Sequence, residues 1–562
     1  MSMQPRPWPE VPAGTARVAR AAFRKGTLAM RARDELGAWY DDAAFASSYG
    51  VRGAPGISPA QLAMVTVLQF TENLTDRQAA DAVRGRLDWK YCLGLALDDD
   101  GFDFSVLSEF RSRLVAAGLD QAVFDLLLDR LQQLGLVSGG GAQRTDSTHV
   151  LARIGEVNRL ELAAGTVRAA LEALAAAAPD WLAGIIGASW QDTYGRPGLG
   201  RLPASAAARA KLAVRYGRDG YRLLDAVHAP GAPGWLRELP AVQALRRIWI
   251  QQYYRSTGAR GEKVIRREAS DHGLPPGRSR IISPYDPDAR HGEKRGHGWD
   301  GYKVHLTETC HQPGPGGTRP APNLITGVAT TTASVADVEM TGPIQDGLAT
   351  AGLAPGEHFT DAGYTSAAGL RDAQARGITL TGPVQAGGSR GQQPGYTLAA
   401  FTIDWDHQQA TCPQGQVSSR WHPVTQHGTP KISIEFPAAT CQACPARPGC
   451  APTTRTGRSL SLHPRDLHEI LQQARTAQAT QPWKDRYKIR AGVEGTIWQA
   501  THTTGIRTAR YLGLARTRLE HHAAAAAINL IRLDAWWTSQ PLAPTRTSHL
   551  HRLNLTPGPR TE

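Results

Sequence analysis

The sequence contains no apolar run long enough to cross a membrane. A membrane-spanning helix needs about 20 consecutive apolar residues, and the most apolar stretch, 523–533, is interrupted by Asn529 and Arg532. Residues 1–10 contain proline and tryptophan but lack the apolar segment of a secretory signal. We therefore expect a chain that has no membrane contact and stays in the cytoplasm.

Cysteine is scarce, with 6 residues in 562. Four of them lie in one stretch of the chain: Cys412, Cys441, Cys444 and Cys450. A cytoplasmic protein seldom depends on disulfides, and the C-x-x-C spacing in this group is typical of tetrahedral Zn²⁺ ligands. We therefore expect a structural zinc subdomain, with free thiols or a redox pair as the alternatives. The other two cysteines, Cys92 and Cys310, are interpreted as packing and loop residues.

Acidic residues are outnumbered by basic ones, 50 to 63, which gives a net charge of +13. An excess of this size indicates a polyanionic partner, with nucleic acid favoured over a membrane surface. A generally basic surface without such a partner is the alternative. The length of 562 residues is too great for one hydrophobic core and predicts several domains or lobes.

One stretch near the C-terminus, 487–497, has the pattern of a chemically active helix. On a helix, Tyr487, Arg490 and Glu494 occupy positions i, i+3 and i+7 and therefore share one face. A single carboxylate in such a place is usually a solvated charge or the partner of an arginine. Two upstream segments make a catalytic role for Glu494 more credible.

Each of these segments places an aspartate in or at the end of a strand. Asp146 lies in the strand-like segment 143–152, and Asp361 ends the strand-like segment 357–361 before Gly363 turns the chain. Ligand-binding residues of open α/β sheets collect at the carboxyl ends of strands. Three carboxylates from three elements can therefore converge. The rival acids Asp286, Asp288 and Asp300 have proline or glycine neighbours typical of turns.

The ordered set of motifs resembles the DDE transposases of bacterial insertion sequences, the group with a Y-R-E-K signature. The motifs are D-S-T at Asp146, D-A-G-Y at Asp361 and Y-x-x-R-x-x-x-E at Glu494, within a resemblance that extends over about 8–537. The signature's basic residue would fall at Thr501, which is a departure from the family. Arg507 or Arg510 is the candidate for supplying that charge.

The resemblance implies an α/β fold, with a ribonuclease-H-like mixed sheet flanked by helices. It implies an N-terminal helical, DNA-end-binding domain over 1–140. The catalytic domain would occupy 141–382, with a helical insertion at about 155–299, and would resume over 480–537 after a cysteine-containing insertion over 383–479. A disordered tail is expected over 538–562. Strands are expected at 301–306, 324–332, 358–361 and 378–382, and helices at 335–353, 367–376 and 507–537. Strand 301–306 is predicted to be half-buried, and His521 and His522 are predicted to form a surface pair.

The implied chemistry is phosphoryl transfer on DNA with two Mg²⁺ or Mn²⁺ ions. Carboxylates are the ligands that such ions prefer, and the hypothesis is that Asp146 bridges both ions while Asp361 and Glu494 hold one each. Arg490 would orient Glu494 or contact phosphate, and Tyr487 would position the strand or pack. The DNA-contacting arginines would be Arg84, Arg86, Arg507 and Arg510.

The expected substrates are the terminal repeats of the element and a target DNA, handled by a homodimer near the bacterial nucleoid. Two other functions remain open. One is a catalytically inactive or domesticated relative that only binds DNA, and the other is a metal-dependent nuclease without strand transfer. The presence of all three acids favours an active transposase.

Overall fold

The computed structural model of the chain describes residues 2–153, 159–195, 205–258, 261–268, 273–294, 296–311, 321–385, 395–426, 428–451 and 456–540. One prediction, the disordered tail at 538–562, falls largely outside these ranges, as does the proline- and glycine-rich stretch 311–322. None of the described helices combines the length and the apolar character needed to cross a bilayer.

The chain begins with a group of seven helices. They are α1 (Ala13–Ala22), α2 (Leu28–Leu36), α3 (Pro59–Thr71), α4 (Asp76–Gly85), α5 (Leu87–Leu93), α6 (Ser105–Ala116) and α7 (Ala122–Gln133). Ser58 caps α3, and Thr75 forms a capping box with Gln78 at the start of α4. Ser105 is the first residue of α6 and not its cap, and its N–H donates to the side chain of Asp103.

A six-stranded mixed sheet follows these helices. Its strands are β1 (Ala142–Leu151), β4 (Arg290–Lys294), β5 (His297–Thr309), β6 (Ile325–Thr332), β7 (Glu357–Phe359) and β8 (Thr379–Thr381), with helices α13 (Asp337–Thr350) and α14 (Ala367–Ala375) between the later strands. Strand β5 pairs antiparallel with β1 and β6, whereas β1 pairs parallel with β7, and β7 pairs parallel with β8. The predicted succession of three strands, helix, strand, helix and strand is present, and β4 is an additional strand that was not predicted.

Strand β5 differs from its prediction in length and in burial. It begins at His297, four residues before the predicted start at Gly301, because 297–301 forms a hairpin with β4. It is buried on both faces: Tyr302 is fully buried, and so is His305, which was assigned to the opposite, exposed face. Alternation was the wrong pattern here, since helices and polar side chains cover the second face.

The segment between β1 and β4 forms a unit with its own core. It contains α8 (Arg159–Ala177), α9 (Pro179–Ala183), α10 (Ala188–Tyr194), α11 (Ala206–His228), α12 (Pro240–Gln252) and the hairpin β2 (Tyr253–Gly258) with β3 (Gly261–Arg266). Its hydrophobic core, which includes Trp249 and Tyr253, is separate from the core around the sheet. The insertion is mainly helical, as expected, but the sequence did not reveal the hairpin.

A smaller unit follows β8. It contains β9 (Thr402–Asp404), β10 (Gln409–Thr411), β11 (Arg420–Gln426), β12 (Thr429–Glu435), α15 (Ala438–Gln442), α16 (Arg447–Cys450) and β13 (Ser459–Leu462), and α17 (Arg465–Ala479) leads back to the sheet. Strands β11, β12 and β13 form a three-stranded antiparallel sheet over a small core.

The chain returns to the large sheet through the last helices. They are α18 (Gln481–Tyr487), a 3-10 turn (Lys488–Ala491), α19 (Gly492–Gln499), a π-helical turn (Ala500–Thr504) that ends at Gly505, and α20 (Leu514–Trp537). Helix α20 packs against the sheet and the N-terminal helices, so both share one hydrophobic core. It begins at Leu514, not at the predicted Arg507.

Two histidines on α20 correct a further prediction. His521 and His522 are both buried, not exposed on the surface. The Nδ1 atom of His521 pairs with the hydroxyl of Thr330, and that of His522 pairs with the carbonyl of Arg518. The alanine-rich sequence of α20 suggested a surface helix, but small side chains allow close packing on all sides.

The buried carboxylate of Glu520 on α20 makes stability depend on pH. Burial raises its pKa to about 7, so the folded state binds a proton more tightly than the unfolded chain does. Stability therefore falls as pH rises from about 4.5 to 7, by roughly 2–3 kcal/mol. We expect Glu520→Gln, which stays neutral, to gain Tm relative to wild type between pH 5 and pH 8. The exposed Glu172→Gln serves as the control and should show no such gain; a parallel pH profile for the two variants would contradict this prediction.

Candidate active site

Three elements bring the predicted acids to one open cavity of about 590 Å³. Asp146 comes from the middle of β1, Asp361 from the turn after β7, and Glu494 from the first turn of α19. The cavity is lined by Asp146, Ser147, His149, Lys294, His297, Gly298, Trp299, Asp361, Ala362, Arg490 and Glu494. Sequence reasoning named four of these residues: the three acids and Arg490.

Asp146 is largely enclosed, with 14% of its side chain exposed. Burial raises the pKa of its carboxyl, the guanidinium of Arg490 opposes this rise, and the negative charge of Asp361 adds to it. One oxygen accepts from the N–H of Ser147 at 2.8 Å and the other from Arg490 at 2.6 Å. The carboxylate is thus held in one orientation and is stabilised by nearby positive charge.

Arg490 links two of the three acids. Its Nη2 atom donates to Asp146, and its Nη1 atom donates to Glu494 at 3.1 Å. The Glu494 side chain is 69% exposed, so its carboxylate faces the cavity mouth. Tyr487 donates its hydroxyl to the carbonyl of Thr360 at 3.0 Å, which joins the helix to the loop that carries Asp361. The predicted single helix is interrupted by the 3-10 turn, yet these side chains lie near one another.

A fourth carboxylate, that of Asp337 at the start of α13, lies behind the site and was not predicted. It accepts from Lys303 at 3.0 Å and from the hydroxyl of Ser147 at 3.3 Å. A side chain at Gly363 would place a Cβ 2.9 Å from Oδ1 of Asp361 and 3.4 Å from Oδ2 of Asp337. The position of Asp337 shortly after strand β6 is the signal that could have revealed it.

The helix carrying Glu494 is attached to the sheet by a buried charge network. Glu308 on β5 is fully buried and pairs with Arg144 of β1 and Arg532 of α20, each at 2.6 Å. Thr496 of α19 donates its hydroxyl to Glu308, and Arg144 donates to the carbonyl of Ile489. Buried charges of this kind must be paired, so the network sets where α19 meets β1.

The donor chemistry of the site suits a hard cation. Mg²⁺ is commonly held by one or two carboxylates, together with water and phosphate oxygens. Among the described residues, no three histidine, cysteine, aspartate or glutamate side chains come close enough to form a complete metal site. The three acids therefore line a shared cavity and offer carboxylate oxygens from different sides.

The arginines expected to contact DNA have different surroundings. Arg507 reaches β1 and donates to the hydroxyl of Thr148 at 3.2 Å, next to the cavity. Arg510 points to the N-terminal helices, where it binds the carbonyl of Leu74 and lies 4.3 Å from the ring centre of Phe70. Thr501 occupies the position where the signature has a basic residue. Its hydroxyl donates to the backbone carbonyl of Ile497, four residues earlier. Of the two candidates for the missing basic group, Arg507 is therefore the one near the site.

The two arginines on and after α4 are partly exposed and partly paired. Arg84 is 54% exposed at its side chain and pairs with Asp81, while Arg86 is 37% exposed and pairs with Glu72 and Asp88. Both guanidinium groups therefore reach the surface while held by acidic neighbours.

The four clustered cysteines line one small cavity in the β9–β13 unit. Two of the sulfurs accept backbone N–H groups: Cys412 from Gln416 at 3.4 Å and Cys441 from Arg458 at 3.3 Å. Burial raises the pKa of the Cys450 thiol. Cys92, by contrast, is packed in the main core.

Two protein families match separate parts of the chain. The family described as "Transposase DDE domain" matches residues 411–534, a range that includes Glu494, Arg490 and the four cysteines. The family described as "Transposase domain (DUF772)" matches residues 24–113, which contain α2 to α5 and most of α6. No curated protein and no solved structure matches the chain.

Both families are transposase families. One matches the N-terminal helices, and the other matches the C-terminal part of the chain, which carries Glu494 to the cavity that it shares with Asp146 and Asp361. The two matches thus support the similarity of this chain to transposases of the DDE class. More narrowly, they support its resemblance to the DDE-type transposases of insertion sequences, which are mobile elements.

Two glycines of α19 test the attachment of this helix. A Cβ at Gly492 would overlap the guanidinium of Arg144, whereas a Cβ at Gly495 meets nothing within 4 Å. Alanine should favour the helix at both positions. We expect Gly495→Ala to be neutral or stabilising and Gly492→Ala to lower the free energy of unfolding by about 1–3 kcal/mol. Chemical denaturation of the two variants measures this, and equal stabilities would contradict the role given to Arg144.

Proposed function

We propose that this transposase cuts DNA at the ends of its own element and joins the freed ends to target DNA, using divalent metal ions held by Asp146, Asp361 and Glu494. The observation that carries the proposal is the shared cavity of the three acids, with Arg490 bonded to two of them. Phosphoryl transfer needs carboxylate ligands for Mg²⁺ or Mn²⁺ beside an open path for a nucleic acid strand.

The sheet supports a catalytic domain like that of ribonuclease H. The strand order β6–β5–β1–β7–β8, with three antiparallel strands followed by two parallel ones, is the arrangement that the family resemblance implies. In this arrangement Asp146 lies on the central strand, and Asp361 follows the neighbouring strand. Glu494 reaches the same edge from the last part of the chain.

The residues of the site would divide the work. When bound, Mg²⁺ would neutralise charge on the phosphate and polarise the attacking oxygen. Asp146 is held by Ser147 and Arg490 in a fixed orientation, and Arg490 also restrains Glu494. Tyr487, bonded to the carbonyl before Asp361, keeps the helix and this loop in register.

The partners follow from the reaction. The terminal repeats of the element and a target DNA are the substrates, and two copies of the chain would handle two ends. Arg84, Arg86 and Arg507 are the arginines placed to meet phosphates, whereas Arg510 would contribute by holding the N-terminal helices. A chromosomal substrate would place the protein at the nucleoid in the bacterial cytoplasm.

The decisive experiment compares Glu494→Gln with a matched control, Glu172→Gln. Glu172 also pairs with an arginine four residues earlier and is 63% exposed, against 69% for Glu494. On linear DNA carrying the element's ends, we expect Mg²⁺-dependent cleavage and joining by wild type and Glu172→Gln. We expect Glu494→Gln to lose at least about a hundredfold in rate.

The other outcomes separate the competing functions. Cleavage without joined products would indicate a nuclease. DNA binding without cleavage by any of the three proteins would indicate an inactive relative. Full activity of Glu494→Gln would remove Glu494 from the proposed site, and Asp361→Asn, assayed for cleavage and for metal binding, provides an independent check.

We further propose that the four clustered cysteines bind a structural Zn²⁺. They line a single cavity, and two of their sulfurs accept backbone N–H groups, which favours thiolates. The Nε of Arg458 is buried there without a hydrogen-bond partner among the described residues, and an anionic zinc-thiolate centre would offset its charge. Since no three of the thiols meet at ligand distance here, zinc binding would draw them together.

The zinc proposal predicts about one Zn²⁺ per chain in protein purified without chelator. Elemental analysis should show this metal lost in Cys444→Ser and Cys441→Ser but kept in Cys310→Ser, whose cysteine lies outside the cluster. A chelator should lower the Tm of wild type, because metal binding and folding of such a unit are coupled. Folded wild-type protein without zinc would overturn the proposal.

A further inference from the structure

The tyrosine of the D-A-G-Y motif is buried beside the turn that carries Asp361. Tyr364 follows Asp361 by three residues and is fully buried. Its N–H donates to the carbonyl of Asp361 at 3.2 Å, and its own carbonyl accepts from the hydroxyl of Thr341 at 2.8 Å. The backbone of Tyr364 thus closes this turn and attaches it to α13, the helix that contains Thr341.

The hydroxyl of Tyr364 lies between polar side chains of two strands. It pairs with Nδ1 of His305 on β5 at 2.5 Å. Burial raises the pKa of Tyr364, the negative charge of Asp337 adds to this rise, and a hydrogen bond with the side chain of Ser147 on β1 opposes it. The phenol therefore stays protonated at neutral pH and takes part in two hydrogen bonds as a neutral group.

The position of the proton on His305 gives these hydrogen bonds a direction. Burial lowers the pKa of His305 to about 4, so its ring is neutral at pH 7 and carries one proton. Its Nε2 atom is buried without a hydrogen-bond partner among the described residues. Because a buried N–H without an acceptor is rarer than a buried acceptor without a donor, we assign the proton to Nδ1. Nδ1 then donates to Tyr364, which donates to Ser147, and the hydroxyl of Ser147 donates onward to Asp337 at 3.3 Å.

Tyr364 is connected in this way to two of the three acids of the candidate site. The N–H of Ser147 donates to Oδ1 of Asp146 at 2.8 Å, so the residue that receives the Tyr364 hydroxyl also holds the Asp146 carboxylate. Asp361 is connected to the same tyrosine through the backbone of its turn. The two acids come from different elements, and a single buried side chain links both of them to β5.

We propose that Tyr364 is a positioning residue for divalent metal binding, because its hydroxyl fixes the orientations of Asp146 and Asp361 relative to each other. The inference rests on the proposed function, since it takes these two acids to be metal ligands. It adds a residue that lies outside the cavity and acts only through the acids. A phenylalanine would fill the same space but would leave His305 and Ser147 without their shared partner, and metal ligands must be held within about 0.5 Å of their working positions.

The test compares Tyr364→Phe with Tyr40→Phe, which removes a buried hydroxyl outside the site. The hydroxyl of Tyr40 donates to the carbonyl of Val123 at 2.7 Å among the N-terminal helices. Binding of Mn²⁺ to the protein without DNA is measured by electron paramagnetic resonance, and the binding that Asp361→Asn abolishes is assigned to the site. Cleavage is measured as a function of Mg²⁺ concentration, and Tm reports folding.

Both tyrosine variants should lose some Tm, because each loses one buried hydrogen bond. We expect only Tyr364→Phe to bind Mn²⁺ at the site about tenfold more weakly and to need about tenfold more Mg²⁺ for half-maximal cleavage. Its rate at saturating Mg²⁺ should stay near that of wild type, since the acids themselves are intact. Tyr40→Phe should match wild type in both metal measurements.

Ser147→Ala breaks the same chain of hydrogen bonds at its next member. It should also weaken Mn²⁺ binding at the site. The double variant with Tyr364→Phe should lose less than the product of the two single effects, because both changes interrupt one network. If Tyr364→Phe does not fold, Ser147→Ala decides the matter, and unchanged Mn²⁺ binding by this variant would overturn the inference.

Two further results would overturn the inference alone. They are unchanged Mn²⁺ binding by folded Tyr364→Phe, and an equal loss in Tyr40→Phe, which would indicate a general effect of lower stability. The proposed function survives either result if wild type cuts DNA and its Mn²⁺ binding depends on Asp361. Absence of any Mn²⁺ binding that depends on Asp361 would overturn the proposed function and this inference together.

Discussion

The arrangement of the active site depends on one buried carboxylate, that of Glu308. It receives two guanidinium groups and one hydroxyl from three other elements: β1, α20 and α19. A buried charge that loses a partner costs several kcal/mol, so these elements are strongly disfavoured from moving apart. The acids of the site are separated by hundreds of residues in the chain, and this network is what sets β1 and α19 against each other.

The active-site charges form a second network that depends on the first. Arg490 can reach Asp146 because Arg144, bonded to Glu308, also holds the carbonyl of Ile489 one residue earlier. Asp337, Lys303 and Ser147 complete the support behind Asp146. The outward side, by contrast, is open, with Glu494 exposed and the β4–β5 hairpin supplying Lys294 and His297.

The main hydrophobic core includes residues of the N-terminal helices, the large sheet and α20. The N-terminal helices pack on α20, and α20 also packs on the sheet. The helix that carries Arg532 is therefore in contact with both parts of the protein. The helical insertion and the cysteine-containing unit have separate small cores. The N-terminal helices and the sheet are therefore joined through α20, whereas the two inserted units have hydrophobic cores of their own.

The sequence by itself determined the candidate acids and most strands of the large sheet. The succession of these strands and the spacing of Tyr487, Arg490 and Glu494 follow from local patterns, because side-chain period is a property of short segments. The tertiary structure alone decided which acids share a cavity, that residues 301–309 of β5 and 519–530 of α20 are buried, and that Arg507 lies near the candidate site while Arg510 does not. It also revealed Glu308 and Asp337, whose roles depend on partners 34 to more than 200 residues away. Such pairings are created by packing between distant segments, and no periodicity within one segment records them.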